Sequence, residues 1–182
     1  MTIVDVLHGN FLEILETIPR QEVSLRNVAS ETFRKSLLLS SASFFENRLL
    51  SIIADLVNEW GSSTRTLNEF VRVKAIERQY HTYFDWDKSN ANKFFGLFGT
   101  EFKAFMRRRC ENDERWDDAV KAFLEIGRER NRLVHQDFGS YSLEKTFEEI
   151  YDLYTRARFF VEQLGECFAE FSQQMQGSDE DD

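Results

Sequence analysis

The sequence contains few residues that break helices. It has one proline, Pro19, and eight glycines among 182 residues. Because proline and glycine interrupt regular structure, so small a number disfavours a fold of many short strands joined by turns. Hydrophobic residues make up 42% of the chain and charged residues 30%, which is typical of a folded globular protein. We therefore expect an all-α fold, a bundle of about five to seven helices around one core.

Residues that bind metals or form disulfides are also scarce. The two cysteines, Cys110 and Cys167, are far apart, and no CxxC, HExxH or paired-histidine spacing occurs. The sequence therefore predicts no metal site and no cofactor. Two isolated thiols are typical of a reducing compartment. Because there is no signal peptide and no apolar run that approaches the roughly 18 residues of a membrane span, we expect a cytoplasmic protein without a membrane partner.

Acidic residues outnumber basic residues in the sequence. The formal net charge is −9, with 23 lysines and arginines against 32 aspartates and glutamates. A chain this acidic does not attract nucleic acid through bulk charge, so any RNA function must depend on a local basic patch. Four of the negative charges lie in residues 179–182. We predict a single helical domain over residues 1–174, followed by an acidic, disordered tail over residues 175–182.

Helical spacing of apolar residues predicts the elements of the first half. Residues 2–18 predict one helix, which ends at Pro19, and residues 21–60 predict a long second helix. The serine-rich run at residues 40–43 either kinks this helix or lets another helix approach closely. Residues 65–80 predict a shorter third helix.

In the second half, the aperiodic aromatic run at residues 81–87 predicts an ordered connector. Thr100, the pair Asn112 and Asp113, and Ser142 each precede an apolar periodic segment, and all of them are residue types that favour the N-cap position. We therefore expect three further helices to begin at these positions. The second of them should end near His135.

The end of that helix concentrates polar chemistry. If residues 115–134 are helical, Asn131 and His135 lie one above the other, and Arg130 flanks the same edge. Arginine binds phosphate oxygens in a bidentate manner, and histidine exchanges a proton near neutral pH, which together suit a phosphodiester. An arginine-rich helix end with a terminal histidine is also common, because cations are favoured at that end of the helix dipole. Spacing alone leaves both interpretations open.

Residues 130–135 resemble the signature of the HEPN superfamily, in which an arginine and an adjacent polar residue precede a histidine. Three further segments, at residues 39–46, 80–86 and 90–99, are similar to the RiboL-PSP-HEPN branch. The first is serine-rich, the second is the start of the aromatic connector, and the third combines asparagine with phenylalanine. The resemblance covers roughly residues 30–170.

The resemblance implies a metal-independent endoribonuclease that acts as a homodimer, with two Arg–His motifs facing each other across a cleft to form one composite site. It implies that Arg130 holds the scissile phosphate, that Asn131 orients the histidine or the substrate, and that His135 is the general base or acid. Glu46 or Ser43 would be the polar helix residue that supports the motif. The expected products are a 2′,3′-cyclic phosphate and a 5′-OH.

Four further arginines are candidates for RNA binding. Arg128 and Arg132 neighbour the motif, and Arg107 and Arg108 belong to the densest basic run of the chain. A solvated helix end is an equally good interpretation of the second pair. For His81, in the aromatic connector, a structural role is favoured over a second catalytic one.

Two classes of function remain in competition. The first is a HEPN ribonuclease that acts on RNA as a toxin or as an effector in defence against phage or in stress, with an antitoxin or a defence-system protein as partner. The second is a catalytically silent HEPN module that binds RNA or a partner protein, and the acidity of the chain is consistent with it. A purely structural helical dimer is a third interpretation, in which neither Arg130 nor His135 faces the dimer cleft.

Overall fold

The structure is a computed structural model that describes residues 1–60, 65–136 and 138–179. These residues contain eight α-helices and no strand, which confirms the all-α expectation. Six of the helices are seven or more residues long, and the other two are single turns. The elements are α1 (Ile3–Thr17), α2 (Val23–Trp60), α3 (Arg65–Val71), a π-helical turn (Arg72–Ile76), α4 (Tyr80–Tyr83), α5 (Asn92–Phe95), a 3₁₀ helix (Gly96–Phe98), α6 (Thr100–Asn112), α7 (Glu114–His135) and α8 (Phe147–Asp179).

The second helix continues without interruption through its serine-rich run. It extends over 38 residues, and Ser41 within it is fully buried. The Ser41 hydroxyl donates to the carbonyl oxygen of Leu37 (2.8 Å), so this polar group is satisfied inside the helix. Ala42 is buried as well, and α2 packs against α7. These small buried side chains agree with the predicted close approach of another helix.

The prediction of one helix over residues 65–80 is wrong in its second half. α3 ends at Val71, and five residues with π-helical hydrogen bonding follow it. Arg78 then has a φ of 59°, the one positive value outside glycine in the described part of the chain. Because that left-handed conformation cannot continue a right-handed helix, the chain turns there before α4 begins.

The helices α6 and α7 begin close to their predicted caps. Thr100 is the first residue of α6 rather than its cap, and the cap position is Gly99. Gly99 has a φ of 103°, a conformation that glycine adopts without strain. Of the predicted pair Asn112 and Asp113, Asp113 caps α7, since its side chain accepts a hydrogen bond from the N–H of Arg115 (2.9 Å). α7 ends at His135, which is also where the sequence placed the helix end.

The start of α8 was predicted incorrectly at Ser142. The helix begins at Phe147, and Thr146 is its cap. The Thr146 hydroxyl accepts from the N–H of Glu149 (3.1 Å), and the Glu149 carboxylate accepts from the N–H of Thr146 (2.7 Å). This reciprocal pair is a capping box, which satisfies two backbone donors that would otherwise lack a partner.

The end of α8 differs from the predicted tail. The helix continues to Asp179, so residues 175–179 are helical where disorder was expected. Glutamine and methionine at positions 173–176 are good helix formers, and adding a residue to an existing helix costs much less than starting a new one. The rest of the predicted tail, residues 180–182, lies outside the described residues.

Aromatic rings fill the core between the long helices. α7 packs along α8, and α2 lies against both. Phe45 of α2 contacts Phe123 of α7 (ring centroids 5.7 Å apart) and Tyr154 of α8 (5.5 Å). Phe123 also contacts Phe160 of α8 (5.2 Å). Because buried aromatic pairs of this kind are stabilising and closely packed, the cluster fixes α7 relative to α2.

Among the described helices, α2 alone is long and apolar enough to cross a membrane, over Val23–Glu59, by length and composition only. The sequence predicted no such segment. The core helix of a soluble protein can be equally long and apolar. Of the apolar 18-residue segment of α2, 44% is buried inside the bundle. Its packing against α1, α7 and α8 accounts for an apolar face of this size.

Candidate active site

A cavity of about 500 Å³ lies where α2, α4 and the C-terminal part of α7 meet. Its floor is apolar and includes Phe45 and Phe123 of the aromatic core. Its polar lining comes from three separate parts of the chain: Glu46 of α2; Arg78, Tyr80 and His81 at and before α4; and Arg130, Asn131 and His135 of α7. The cavity thus gathers two guanidinium groups, two imidazoles, a phenol and a carboxylate.

The helical repeat of α7 brings the three predicted catalytic residues into this cavity. Asn131 and His135 are one turn apart, and His135 is the last residue of the helix. The Arg130 Nη1 donates to the Asn131 Oδ1 (3.1 Å), so the amide orients the arginine. The imidazole of His135 is exposed and has no hydrogen-bond or ion-pair partner in the described part of the chain. It is therefore free to contact a ligand.

The charges of Glu46 and Arg130 have opposite effects on the pKa of the Tyr80 phenol. Burial raises the pKa of Tyr80 far above that of a free tyrosine, the charge of Glu46 raises it further, and the charge of Arg130 lowers it. The phenol therefore stays neutral at physiological pH and can donate a hydrogen bond. Its ring contacts Phe84 (6.0 Å) and Trp86 (5.6 Å), so packing holds it in place.

Trp86 joins the aromatic connector to α7. A Cβ atom at Gly127 would lie 1.9 Å from Cζ3 of Trp86, so the indole rests directly on the helix backbone. The Trp86 ring also contacts Phe123 of α7 (5.9 Å). Its Nε1 donates to the carbonyl oxygen of His81 (3.2 Å). Through this residue, α4 is positioned relative to the turn of α7 that carries Arg130.

Arg78, Tyr80 and His81 line the cavity with polar groups but were not among the predicted site residues. Tyr80 and His81 belong to the segment that carries the family resemblance, so their segment was identified but their contribution to the site was not. Arg78 gave no signal in the sequence, because its place in the cavity depends on a positive φ that arginine rarely adopts. Such conformations cost energy and concentrate at functional sites.

Arg128 and Arg132, the predicted RNA-binding residues beside the motif, contact Glu129 and do not line the cavity. The Arg132 Nη1 lies 3.0 Å from the Glu129 Oε1, and the Arg128 Nε lies 3.9 Å from the same oxygen. Glu129 is 7% exposed, and its other oxygen accepts from the Tyr141 hydroxyl (3.1 Å). These contacts attach α7 to the segment before α8.

The remaining predicted residues also lie outside the cavity. Ser43 is exposed, so of the two candidate supporting residues the structure brings only Glu46 to the motif. Arg107 forms an ion pair with Glu111 on α6 (2.7 Å), and Arg108 is exposed on the same helix. Neither of these arginines contributes to the lining of the cavity.

Two cations of α2 hold the segment that follows α7. Lys35 is 3% exposed and donates from Nζ to the carbonyl oxygen of Phe138 (2.8 Å). The Arg34 Nη1 donates to the carbonyl oxygen of Leu143 (3.0 Å). Because irregular segments need partners for their backbone carbonyls, these bonds stabilise the chain path after the helix end.

Cysteine and metal chemistry have little basis in the described residues. Within residues 1–60, 65–136 and 138–179, no group of three or more histidine, cysteine or acidic side chains could hold a metal ion. Cys110 and Cys167 are free, and burial raises the pKa of each thiol to about 11. Since the thiolate is the nucleophile, neither cysteine is reactive at neutral pH.

The sequence profile described as RiboL-PSP-HEPN matches residues 10–170. The chain belongs to the RiboL-PSP-HEPN family. The match covers α2 to α7 completely, so every residue of the cavity falls within it. No curated protein and no solved structure shows significant similarity to the chain.

Membership of the RiboL-PSP-HEPN family confirms the resemblance carried by the Arg–His motif and the aromatic connector. It is consistent with an RNase-type module. In this HEPN domain, the motif and the connector are two sides of one cavity, because Trp86 attaches the connector to α7.

Proposed function

We propose that this HEPN protein is a metal-independent endoribonuclease that cleaves RNA in the cavity at the end of α7. The supporting observation is that Arg130, Asn131 and His135 line one cavity of about 500 Å³ together with Glu46. The cavity therefore contains a cation that can bind a phosphate and an accessible imidazole that can move a proton. RNA carries its own nucleophile, the neighbouring 2′-OH, so these two kinds of group are sufficient for cleavage.

Arg130 binds the scissile phosphate in this mechanism. A guanidinium has five N–H donors, and one of those of Arg130 is donated to Asn131. The amide holds the guanidinium so that the remaining donors bind two phosphate oxygens and stabilise the charge that grows on them in the transition state. Arg78 adds a second positive charge to the lining. The pair supplies the local basic patch that an acidic chain needs to bind RNA.

His135 transfers a proton in the same step. The 2′-OH attacks phosphorus, the bond to the 5′ oxygen breaks, and the products are a 2′,3′-cyclic phosphate and a 5′-OH. An imidazole at the end of α7 acts as the base for the 2′-OH or as the acid for the leaving oxygen. The reaction requires no metal ion, because the nucleophile is already attached to the substrate and a positioned base activates it.

The active form in this proposal is a homodimer in which the HEPN motifs of two copies face one cleft. Val134, which directly precedes His135, is 46% exposed, and Phe138, three residues after His135, is 47% exposed. Exposed apolar side chains next to a site are typical of a surface that another protein covers. Sedimentation should therefore give about twice the chain mass of 21.5 kDa. A fully active monomer would rule out the dimeric arrangement.

In the cell, we propose a cytoplasmic toxin or an effector in defence against phage or in stress, restrained by an antitoxin or a defence-system protein. Free thiols in the two cysteines fit a reducing compartment. A ribonuclease that needs no cofactor can cleave the RNA of its own cell, which is why the proposal includes a restraining partner.

The test is RNA cleavage in the presence of EDTA by the wild type, His135→Ala and Arg130→Ala. A proton-transfer residue contributes roughly a hundredfold to ten-thousandfold in rate, so His135→Ala should be nearly inactive. Gln136→Ala is the matched control, since Gln136 is the exposed next residue and does not line the cavity. Its activity should equal that of the wild type. Equal activity in all four proteins would reject the site.

A catalytically silent HEPN module that binds RNA or a partner protein is the second candidate. The net charge of −9 favours it, because the chain as a whole attracts RNA weakly. Binding assays separate the two candidates. RNA binding that survives His135→Ala, with no cleavage by either protein, would support the silent module and reject the nuclease.

A further inference from the structure

The three histidines of the chain have very different surroundings. The ring of His8 stacks on those of Tyr151 (3.7 Å between centroids) and Phe147 (4.9 Å), which is a packing role. His81 and His135 are both exposed, and both line the cavity. In the described part of the chain, the imidazole of His81 has no hydrogen-bond, ion-pair or ring partner. A structural histidine would have such partners, so the structural role favoured from the sequence does not fit His81.

The backbone of His81 is fixed although its imidazole is free. Its carbonyl oxygen accepts from the Trp86 Nε1 (3.2 Å), and the same indole rests on Gly127 of α7. At the other end of α4, the Tyr83 hydroxyl donates to the carbonyl oxygen of Ala75. The single turn of α4 is therefore held at both ends and presents one unpartnered imidazole beside the catalytic helix. Groups that move protons need this combination of a fixed position and free ring nitrogens.

We propose that His81 is a second catalytic residue of this cavity and moves a proton on the opposite side of the phosphate from His135. The proposal rests on the RNA cleavage proposed above. In-line displacement needs a base at the 2′-OH and an acid at the leaving 5′ oxygen, and two imidazoles supply both near neutral pH. Each chain of the proposed homodimer then provides both imidazoles to its own half of the cleft.

The proton and electron balance of the step is complete with these groups. One neutral imidazole takes the proton of the 2′-OH as the O2′–P bond forms. The other imidazole, protonated at the start, gives its proton to O5′ as the P–O5′ bond breaks. The products are the cyclic phosphate and the 5′-OH. Proton exchange with water then returns the two imidazoles to their starting protonation states. Arg130 binds the non-bridging oxygens throughout.

The first experiment measures the pH dependence of kcat on an RNA oligonucleotide with EDTA present. The wild type should give a bell-shaped profile, since one group must be neutral and the other protonated. We expect His81→Ala to lower kcat about a hundredfold or more and to remove one limb of the bell. Thr82→Ala is the matched control, because Thr82 is exposed on the same turn and its hydroxyl donates to the Gln79 carbonyl oxygen (2.7 Å), within its own turn of the chain.

The second experiment uses a substrate whose leaving 5′ oxygen is replaced by sulfur. A thiolate leaves without protonation, so this substrate does not need a general acid. It should restore most of the activity lost in one of the variants His81→Ala and His135→Ala, and little in the other. If His81 has only a structural role, His81→Ala should lower the cleavage rates of both substrates by the same factor. The pH profile of this variant should then keep both of its limbs. His81→Asn, which keeps a polar side chain, should behave like His81→Ala.

The possible failures are distinguishable. The first possible result is that the wild type cleaves RNA, His135→Ala does not, and His81→Ala keeps the wild-type kcat and both limbs of the pH profile. This result would reject the catalytic role of His81 and leave the proposed nuclease function intact. If a folded wild type cleaves no RNA, the proposed function fails and the role of His81 fails with it. Thermal unfolding of each variant, with a midpoint close to that of the wild type, excludes loss of the fold as the cause.

Discussion

The indole of Trp86 rests on the backbone of Gly127, so closely that a Cβ atom at residue 127 would lie 1.9 Å from Cζ3 of Trp86. The contact joins two residues that are 41 positions apart, one in the aromatic connector and one in α7. His81 is attached to the same indole through its carbonyl oxygen. The geometry of the cavity therefore depends on the absence of a side chain at one position of α7.

Gly127→Ala should displace Trp86 and disturb the site. Inserting a methyl group into a packed contact costs about 1–3 kcal/mol of stability, because the neighbouring groups must move. We expect a lower unfolding midpoint and a loss of RNA cleavage, since the connector carries Tyr80 and His81 into the cavity. Thermal unfolding and the cleavage assay measure the two effects.

Gly165→Ala is the matched control for this change. Gly165 is also inside a helix, but a Cβ atom there would meet nothing within 4 Å. Because alanine favours the helix more than glycine, the control should be neutral or stabilise by up to about 1 kcal/mol. Equal stability of the two variants would contradict the close contact between Trp86 and the backbone of Gly127.

Asn131→Asp should impair the site more than Asn131→Ala. The Asn131 Oδ1 accepts from Arg130 at 3.1 Å, so a carboxylate in its place would form an ion pair with the guanidinium and compete with the phosphate. We expect kcat/KM to fall roughly tenfold to a hundredfold for the aspartate, from the loss of a charged hydrogen bond to the substrate. Steady-state kinetics of the two variants provide the comparison. Higher activity in Asn131→Asp than in Asn131→Ala would show that Arg130 does not bind the substrate.

Alkaline pH should destabilise the fold through Tyr80. Burial and the charge of Glu46 hold the pKa of Tyr80 above that of the unfolded chain, which is about 10. A raised pKa in the folded state contributes stability that is complete below pH 10 and is lost as the pH rises further, because the unfolded chain releases the proton first. The free energy of unfolding, measured with urea at about pH 9 and 11, should fall less in Tyr80→Phe than in the wild type. An identical fall in both proteins would contradict the burial of this phenol.

Glu129→Ala should lower stability by about 1–3 kcal/mol, because the Tyr141 hydroxyl and Arg132 lose their acceptor. Glu111→Ala is the control. Its partner Arg107 has a side chain that is 64% exposed, and exposed pairs of this kind contribute at most about 1 kcal/mol. Urea unfolding measures both. Equal effects would mean that Glu129 does not attach α7 to the following segment.

Periodicity and capping chemistry predicted α1, α2 and α7 well, because one side of each helix is apolar and the signals are local. The capping box at Thr146 and Glu149 is also a local pattern, but Ser142, four residues earlier, is an equally suitable cap residue by type and misplaces the start of α8. The turn at Arg78 could not be predicted, since tertiary packing imposes its left-handed conformation.

The candidate site also has one part that the sequence predicted and one part that it did not. The motif residues Arg130, Asn131 and His135 follow from helical spacing and the family pattern, and the structure places them together. The contribution of Tyr80 and His81 depends on the contact between Trp86 and Gly127. No local pattern encodes a contact between residues so far apart in the chain.

The most direct test of the central claim is the chemistry of the RNA ends. RNA is treated with the wild type, His135→Ala and Arg130→Ala in EDTA, and the fragments are examined by mass spectrometry. We predict fragments with 2′,3′-cyclic phosphate and 5′-OH ends from the wild type and almost none from either variant. Fragments with 3′-OH ends, or the same products in equal amounts from all three proteins, would contradict cleavage by the 2′-OH in this cavity.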